Sequence, residues 1–360
     1  MTNDFWRGKR VFLTGHTGFK GSWMTLLLDH LGATVSGYAL APPTNPSLFE
    51  VADVGEIGQS RIADIRDAET LNRAMVDFAP DIVFHMAAQP LVRESYAIPV
   101  ETYDVNVMGT VRVLETVRGT KSVKAAVVIT SDKCYENRET IWSYRETDAM
   151  GGHDPYSSSK GCTELVTAAY GRSYFQPGMC HASLASVRAG NVVGGGDWAK
   201  DRLVADIARG LIAGEQIVIR RPDAIRPWQH VLEPLHGYLR VAEHLFQGGA
   251  KSWEGWNFGP SSGSEQRVEA VARLACQAWG KPDALELRPD PNAVHEATLL
   301  KLDSTKAHNL LNWHPRWNFA ATIQHTMEWY KAFAHGKNMR AFTLEQIKAY
   351  RHSPAEGTST

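Results

Sequence analysis

Cysteine is scarce: the chain has four in 360 residues, at positions 134, 162, 180 and 276. Their spacing suits neither a metal site nor a disulfide framework. Reduced thiols and no metal centre are expected. An excess of charge is also missing, because 38 Lys and Arg face 39 Asp and Glu for a formal net charge of −1. That balance gives no electrostatic reason to expect nucleic acid or an anionic membrane as partner. Basic side chains can still gather around a small phosphorylated ligand. Long apolar runs are absent too: no segment approaches the roughly 18–20 uncharged residues that a membrane span needs. The opening Met1-Thr-Asn-Asp-Phe-Trp-Arg-Gly-Lys-Arg10 holds no apolar stretch of signal-peptide length. A cytoplasmic protein that spans no membrane is the expectation. The sequence shows no internal repeat, and its low-complexity content is confined to the polar tail Glu356–Thr360, expected to be mobile.

What is present is a patterned chain, 43% hydrophobic, long enough for a large core or two lobes sharing a cleft. Arg10–Thr14, Thr34–Leu40, Asp81–His85 and Lys124–Thr130 are short apolar runs with the length of buried strands. Between them lie helix-like stretches at Ser22–Leu31, Ala68–Phe78 and Val105–Val117. This alternation predicts an α/β fold, a Rossmann-type doubly wound parallel sheet with ligands at the strands' carboxyl ends. From about Gly190 the texture loosens into Gly194-Gly-Gly-Asp-Trp198, Arg226-Pro-Trp228 and Trp253-Glu-Gly-Trp256. The expected division is a dinucleotide-binding domain with the catalytic residues at 1–190, followed by a smaller α/β substrate-binding domain at 191–340. Part of that second domain is expected to return to the main sheet, and 341–360 to form a C-terminal helix and tail. Trp6, Trp23, Trp142, Trp198 and Trp228 read as core and interface packing rather than base-stacking platforms.

Gly15-His-Thr-Gly18-Phe-Lys-Gly21 joins the first strand to the first helix. Gly15 suits a tight turn, Gly18 a close backbone approach to a pyrophosphate, and Gly21 close packing of helix on strand. The helix N-terminus adds free N–H groups and a positive dipole end. Gly15, His16, Thr17, Gly18, Phe19, Lys20 and Gly21 are therefore the expected cofactor-binding segment. The second strand ends Tyr38-Ala-Leu-Ala41, without the acid that holds the ribose in many NAD sites. It also lacks the arginine that the extra phosphate of NADP would need, which favours NAD. Asp64 and Ile65 follow a short third strand, where they either meet the adenine or, for Asp64, cap the next helix.

Asp154 and Pro155 supply an N-cap and a first-turn proline, so a helix starts at Tyr156-Ser-Ser-Ser-Lys160. Tyr156 and Lys160 then share one face, a turn apart. A phenol with a pKa near 10 is a poor base at neutral pH. A lysine ammonium, the helix N-terminus and a bound nicotinamide cation would each favour the phenolate. That makes Tyr156 a candidate base for a hydroxyl whose carbon loses hydride. Cys134 has no base beside it in sequence and reads as structural.

The glycine loop, Asn106 and the Tyr156/Lys160 pair resemble the extended short-chain dehydrogenase/reductase family from Val11 to about Pro315. The resemblance implies that Ser131 completes the catalytic set. It also implies that Ala87, Ala88, Gln89 and Asn106 lie along the cofactor, and that dimers form through a helical bundle. A homodimer or homotetramer is therefore expected. Ser131 is followed by Asp132 and Lys133, where nucleotide-sugar 4,6-dehydratases carry an Asp and a second acid–base residue. That likeness implies oxidation at sugar carbon 4, loss of water across carbons 5 and 6, and hydride return to carbon 6. Asp132 is then the acid. Lys133, standing where relatives usually have Glu, is the candidate base at carbon 5.

The strings Thr14–Trp23, Thr130–Tyr135, Asp154–Gly161, Arg188–Asn191 and Arg226–His230 resemble the members of that dehydratase group that act on CDP-sugars, and the resemblance alone implies CDP-D-glucose as substrate. Asn191 and Arg226 match family substrate positions. Gln89, Arg93, Arg202, Arg220 and His230 complete the candidate substrate set, the arginines because a planar fork suits diphosphate oxygens. His85 reads as a packed histidine. Two rivals stand beside this reading: an epimerase or decarboxylase on the same fold, and a non-catalytic dinucleotide sensor. The first leaves Asp132 and Lys133 without a purpose, and the second has no need of Tyr156 and Lys160.

Overall fold

Strands β1 (Arg10–Thr14), β2 (Thr34–Ala39), β3 (Gln59–Ile62), β4 (Ile82–His85), β5 (Ala125–Ile129) and β6 (Ser183–Ala189) form one sheet with a seventh, Glu254–Phe258. Their spatial order is Glu254–Phe258, β6, β5, β4, β1, β2, β3. Every neighbouring pair is parallel. The computed structural model describes residues 3–176, 178–248, 253–260, 263–289 and 300–355. Strands β4 and β5 are buried at every position, because layers on both faces cover them, and so their sequences are unbroken apolar runs. At the sheet edge, β3 is exposed throughout. Chain order reverses between β1 and β4, which opens a crevice at their carboxyl ends.

The helix after β1, Phe19–His30, is buried continuously from Gly21 to Leu28. It is enclosed between the sheet and the helix Met339–His352, whose Arg351 Nη1 lies 3.0 Å from His30 Nε2. The C-terminal helix is thus docked, and it starts at Met339. The tail Glu356–Thr360 lies outside the described residues.

Beyond β6 the chain makes small two-stranded ladders. Val192–Val193 pairs with Gln229–His230, Ile225–Pro227 with Glu265–Arg267, and Ile217–Ile219 with Leu285–Leu287. The helix Leu232–Phe246 then covers β5 and β6, and Glu254–Phe258 rejoins the main sheet. One core cluster holds Trp23 together with Trp256, Trp313 and Trp329. The texture change near residue 190 therefore coincides with no gap in the packing. Trp6, Trp198 and Trp228 are buried as well, whereas Trp142 is exposed. Among the described residues no helix is long and apolar enough to cross a membrane, and no His/Cys/Asp/Glu group could hold a metal.

Candidate active site

The crevice begins with Thr14 at the end of β1. Its hydroxyl accepts from the backbone N–H of Met86 and Ala87, both at 3.1 Å, and lies 2.8 Å from His85 Nδ1. This fastens the carboxyl ends of β1 and β4. The chain turns at Gly15 with φ +80°, where a Cβ would come 2.7 Å from the Ala87 nitrogen. A Cβ on Gly21 would collide with the Gly15 carbonyl oxygen. By contrast, a Cβ on Gly18 would meet nothing closer than that oxygen, at 3.5 Å. Gly18 thus faces open space while capping a helix without a side-chain cap. The first helical N–H groups stay available, and the cradle fits a pyrophosphate.

Other members of the segment play different parts from those expected. His16 packs its ring where a Gly37 side chain would stand, and Nε2 bonds Ser60 Oγ at 2.7 Å. Burial lowers this imidazole to about 4. Thr17 donates to the Leu40 carbonyl at 2.8 Å. The His16 and Thr17 side chains join the loop to β2 and β3. Phe19 packs toward Gly194. Asp64 is occupied by Arg66, accepting from its backbone at 2.8 Å and pairing with its guanidinium at 2.6 Å. Those hydrogen bonds hold the carboxyl below its ordinary range. The helix cap is Asp67, which accepts from Thr70 N at 3.0 Å, so the capping alternative for Asp64 is overturned. Ile65 is buried and packs on Gly109.

The tyrosine helix runs from Pro155 to Tyr174, with Asp154 accepting from Ser157 N at 2.9 Å as the expected cap. Tyr156 and Lys160 are both buried. Burial pushes the phenol up to about 12, opposed by a hydrogen bond with Ser131 and the charge of Arg202. Burial likewise lowers Lys160 to about 8, reinforced by the nearby Lys20 ammonium. Without a cofactor, desolvation outweighs the helix dipole, and the phenol stays protonated at neutrality. A bound nicotinamide cation would act in the opposite direction.

Ser131 caps a short 3₁₀ turn, Asp132–Cys134, accepting from Lys133 N at 3.3 Å. The Ser131 hydroxyl donates to Asp132 Oδ1 at 2.9 Å. Asp132 is buried, and a Cβ on Gly190 would approach Asp132 Oδ2 to 3.3 Å. A side chain there would press on that carboxyl by a few tenths of an ångström. Burial raises the carboxyl, against the Ser131 hydrogen bond and the charges of Lys133 and Lys20. Lys133 itself is half-buried. Cys134 is fully buried and burial lifts its thiol well above the usual range, which suits a structural role.

Asn106 joins two segments of the crevice. Its amide accepts from Gln89 N at 2.8 Å and donates to Gln89 O at 3.1 Å and Ser159 Oγ at 2.9 Å. It clamps the loop after β4, which carries Ala87 and Ala88, to the tyrosine helix. The Gln89 side chain closes its own loop through Thr102 Oγ1 at 3.0 Å and Leu91 N. His85 is buried between Thr14 and Thr110, and burial lowers it to about 3.

Among the substrate candidates, Arg202 caps the helix Leu203–Ala213, and its charge acts on Lys20, Tyr156 and Asp197. Arg226 sits on the strand Ile225–Pro227, whose Pro227 borders Gly190 beside Asp132. Asn191 follows Gly190 directly, its carbonyl accepting from Gln229 N at 3.3 Å. Arg93 forms an exposed ion pair with Asp201 at 3.0 Å. Arg220 is exposed at the end of Ile217–Ile219 and takes no part in these interactions among the described residues. His230 is fully buried and packs edge-on against Trp23 and Trp317 with centroids at 5.6 and 4.7 Å. Its ring belongs to the core.

Sequence reasoning missed two features. Asp197 is half-buried, with the charges of Arg202 and Lys20 acting on it, and no motif marked it. Glu164 forms a buried pair with Arg188 at 2.8 Å; its place four residues after Lys160 was a readable signal.

The profile of a family described as GDP-mannose 4,6 dehydratase matches residues 12–326. The chain is 54% identical over 353 residues to the CDP-glucose 4,6-dehydratase of Salmonella typhimurium, covering 97% of this chain and 98% of that protein. It is 26% identical over 340 residues to a UDP-glucose 4-epimerase of Halalkalibacterium halodurans, covering 91% and 97% of the two chains. The structure of the Thermus thermophilus UDP-glucose 4-epimerase complexed with NAD matches with a TM-score of 0.73 at 26% identity, over 89% of this chain and 99% of that one.

Proposed function

The chain belongs to the GDP-mannose 4,6 dehydratase family, and we propose that it converts CDP-D-glucose to CDP-4-dehydro-6-deoxy-D-glucose and water with NAD as resident cofactor. The observation that carries the reaction type is the buried Asp132, hydrogen-bonded to Ser131 and close enough to Tyr156 for its charge to act on the phenol, with its carboxyl raised by burial. An oxidising pair alone would serve an epimerase, whereas an acid at that position serves an elimination. The 54% identity to a CDP-glucose enzyme supports the nucleobase.

Bound over the Gly15–Gly21 turn, NAD supplies a reversible hydride acceptor for sugar carbon 4 and donor for carbon 6. Tyr156 takes the carbon 4 hydroxyl proton, with Ser131 hydrogen-bonded to the phenol and Lys160 supplying positive charge. The resulting ketone acidifies the hydrogen on carbon 5, and Lys133, as its neutral amine, takes that proton. Asp132 gives its proton to the carbon 6 hydroxyl, which leaves as water. Arg202, Arg226 and Asn191 border the same centre and suit the diphosphate. A homodimer is supported by exposed Met108 and Leu165 on the neighbouring helical segments, an apolar face that a second copy would cover. The product belongs to deoxysugar synthesis for bacterial lipopolysaccharide, made in the cytoplasm.

The test is to incubate protein and NAD separately with CDP-glucose, dTDP-glucose, UDP-glucose and GDP-mannose, reading alkali-induced absorbance of 4-keto-6-deoxy product. Signal with CDP-glucose alone is expected. Signal with a different nucleotide keeps the dehydratase and overturns the base. Epimerised sugar without keto product would establish the epimerase instead.

A further inference from the structure

Asp132 and Lys133 belong to a turn of three residues, and the chain on either side of it is fastened to opposite members of one buried ion pair. Before the turn, Thr130 N donates to the Val187 carbonyl at 2.9 Å and the Thr130 hydroxyl donates to Glu164. After it, the Tyr135 hydroxyl accepts from Arg188 Nη1 and donates to Asn257 Oδ1 at 2.8 Å. Glu164 and Arg188 pair at 2.8 Å, with side chains 1% and 0% exposed. A Cβ on Gly255 would come 2.5 Å from Arg188 Nη2, so the guanidinium fills the space that glycine leaves.

The turn itself is closed by Cys134 N donating to Ser131 O at 3.2 Å and Tyr135 N to Asp132 O at 3.3 Å. Tyr135 therefore holds the backbone of Asp132 at one end and the ion pair at the other. Its ring is stacked on Tyr144, with centroids 5.2 Å apart. The Cys134 carbonyl accepts from Gly151 N at 2.8 Å, and a Cβ on Gly161 would come 3.2 Å from it. The turn thus rests on the tyrosine helix at the residue that follows Lys160.

Stability alone does not call for this arrangement, because a buried ion pair can often be replaced by apolar side chains of similar volume without loss. Elimination does call for it. Lys133 must meet the hydrogen on carbon 5 while Asp132 meets the hydroxyl on carbon 6, so one short turn has to set two groups against two adjacent atoms. A misplacement of about 1 Å is enough to cost about 100-fold in rate. Carbon 4 oxidation falls to Tyr156 and Lys160, on a helix with its own cap at Asp154, and asks nothing of the Tyr135 hydroxyl.

We propose that Tyr135 is a positioning residue for elimination: its phenol, bonded to Arg188 and Asn257, fixes the Asp132–Lys133 turn against carbons 5 and 6. The proposal rests on the dehydratase reading above.

Tyr135→Phe keeps the ring on Tyr144 and removes the hydroxyl alone. In single turnovers of that holoenzyme with CDP-glucose, carbon 4 oxidation should stay within about threefold of normal. Formation of 6-deoxy product should fall about 10–100-fold, with reduced-cofactor absorbance persisting. Both steps slowed equally, or elimination unchanged, would overturn the proposal. Tyr144→Phe is the control, because that hydroxyl accepts from Arg138 N at 2.7 Å and donates to Asn137 at 3.2 Å, both beyond the turn. It should leave the two steps in their normal ratio, and an equal defect there would overturn the role of the Arg188 contact. A second measurement needs no substrate: backbone hydrogen exchange of the cofactor-free protein, read peptide by peptide. In Tyr135→Phe, protection over residues 131–136 should fall about tenfold while that over 155–174 is kept. Loss of protection in both segments, or in neither, overturns the anchor. An inert wild-type enzyme beside loosening confined to the turn would sink the dehydratase reading and leave the anchor standing.

Discussion

Lys160 and Glu164 stand one turn apart on the same helix, equally removed from water, and their surroundings are opposite. Glu164 accepts from Ser186 Oγ at 2.6 Å, Arg188 Nε at 2.9 Å, Arg188 Nη2 at 2.8 Å and Thr130 Oγ1. Arg188 also reaches the Tyr135 hydroxyl, which donates to Asn257 at 2.8 Å. Burial opposes the Glu164 carboxylate, but Arg188 and the hydrogen bonds hold it below its ordinary range. Lys160 makes a long contact to the Ile129 carbonyl, 3.5 Å, and faces the like charge of Lys20. A saturated buried charge stays as it is and fixes the geometry around it. An under-partnered one is poised to change protonation, which proton transfer requires.

The strongest way to break that contrast is Tyr156→Phe. Losing the phenol should cut turnover by about 10²–10⁴-fold while NAD binding, followed by fluorescence, is retained. Normal turnover would remove Tyr156 from the chemistry and the poised half of the comparison with it. Next is Glu164→Ala, which strands Arg188 in the core and should cost about 3–5 kcal/mol of unfolding free energy, measured in urea. Glu164→Gln combined with Arg188→Met should recover much of that loss. Should Glu164→Ala instead unfold like the parent, the satisfied charge is not structural.

A smaller effect separates two cations. Lys133→Met should slow elimination by about 100-fold and leave carbon 4 oxidation intact, seen as reduced cofactor that does not turn over. Unimpaired dehydration would reassign the carbon 5 base.

Much of this was legible in the chain. Unbroken apolar runs located β1, β4 and β5, since burial on both faces demands them. Asp154-Pro155 located the start of the tyrosine helix, because cap and first-turn preferences are local. What escaped depends on distant partners. His16 looks like a cofactor residue until Gly37 and Ser60, from two other strands, enclose its ring. His230 belongs to the core because Trp23 and Trp317 flank it. The phenol of Tyr156 rises because burial exceeds the local effects of lysine and dipole, a balance that spacing cannot disclose.

The smallest effect tests the poised region without any chemistry. Burial lowers both Lys20 and Lys160 from 10.5 to about 8. Between those values the unfolded chain binds protons that the native protein does not, so stability rises with pH across that interval. Equivalently, the penalty on each ammonium is fully present below pH about 8. The Cys134 and Cys276 thiols, raised above 9.0 by burial, and Tyr38 and Tyr156, raised from 10.0 to about 12, reverse the trend once unfolded cysteines and then tyrosines ionise. Glu233, raised to about 7 by burial, has completed its own loss of stability below the window. The cofactor-free protein should therefore gain up to about 1 kcal/mol per pH unit per lysine between pH 8 and about 9, before unfolded cysteines ionise, read as a rising urea midpoint. Lys160→Met should flatten that rise by half. Glu164→Gln should leave Lys160 still less able to hold its proton, steepening the rise and moving its onset to lower pH. A midpoint that falls across the window in the parent protein would mean these two amines are solvated, and the reaction centre no more poised than the surface.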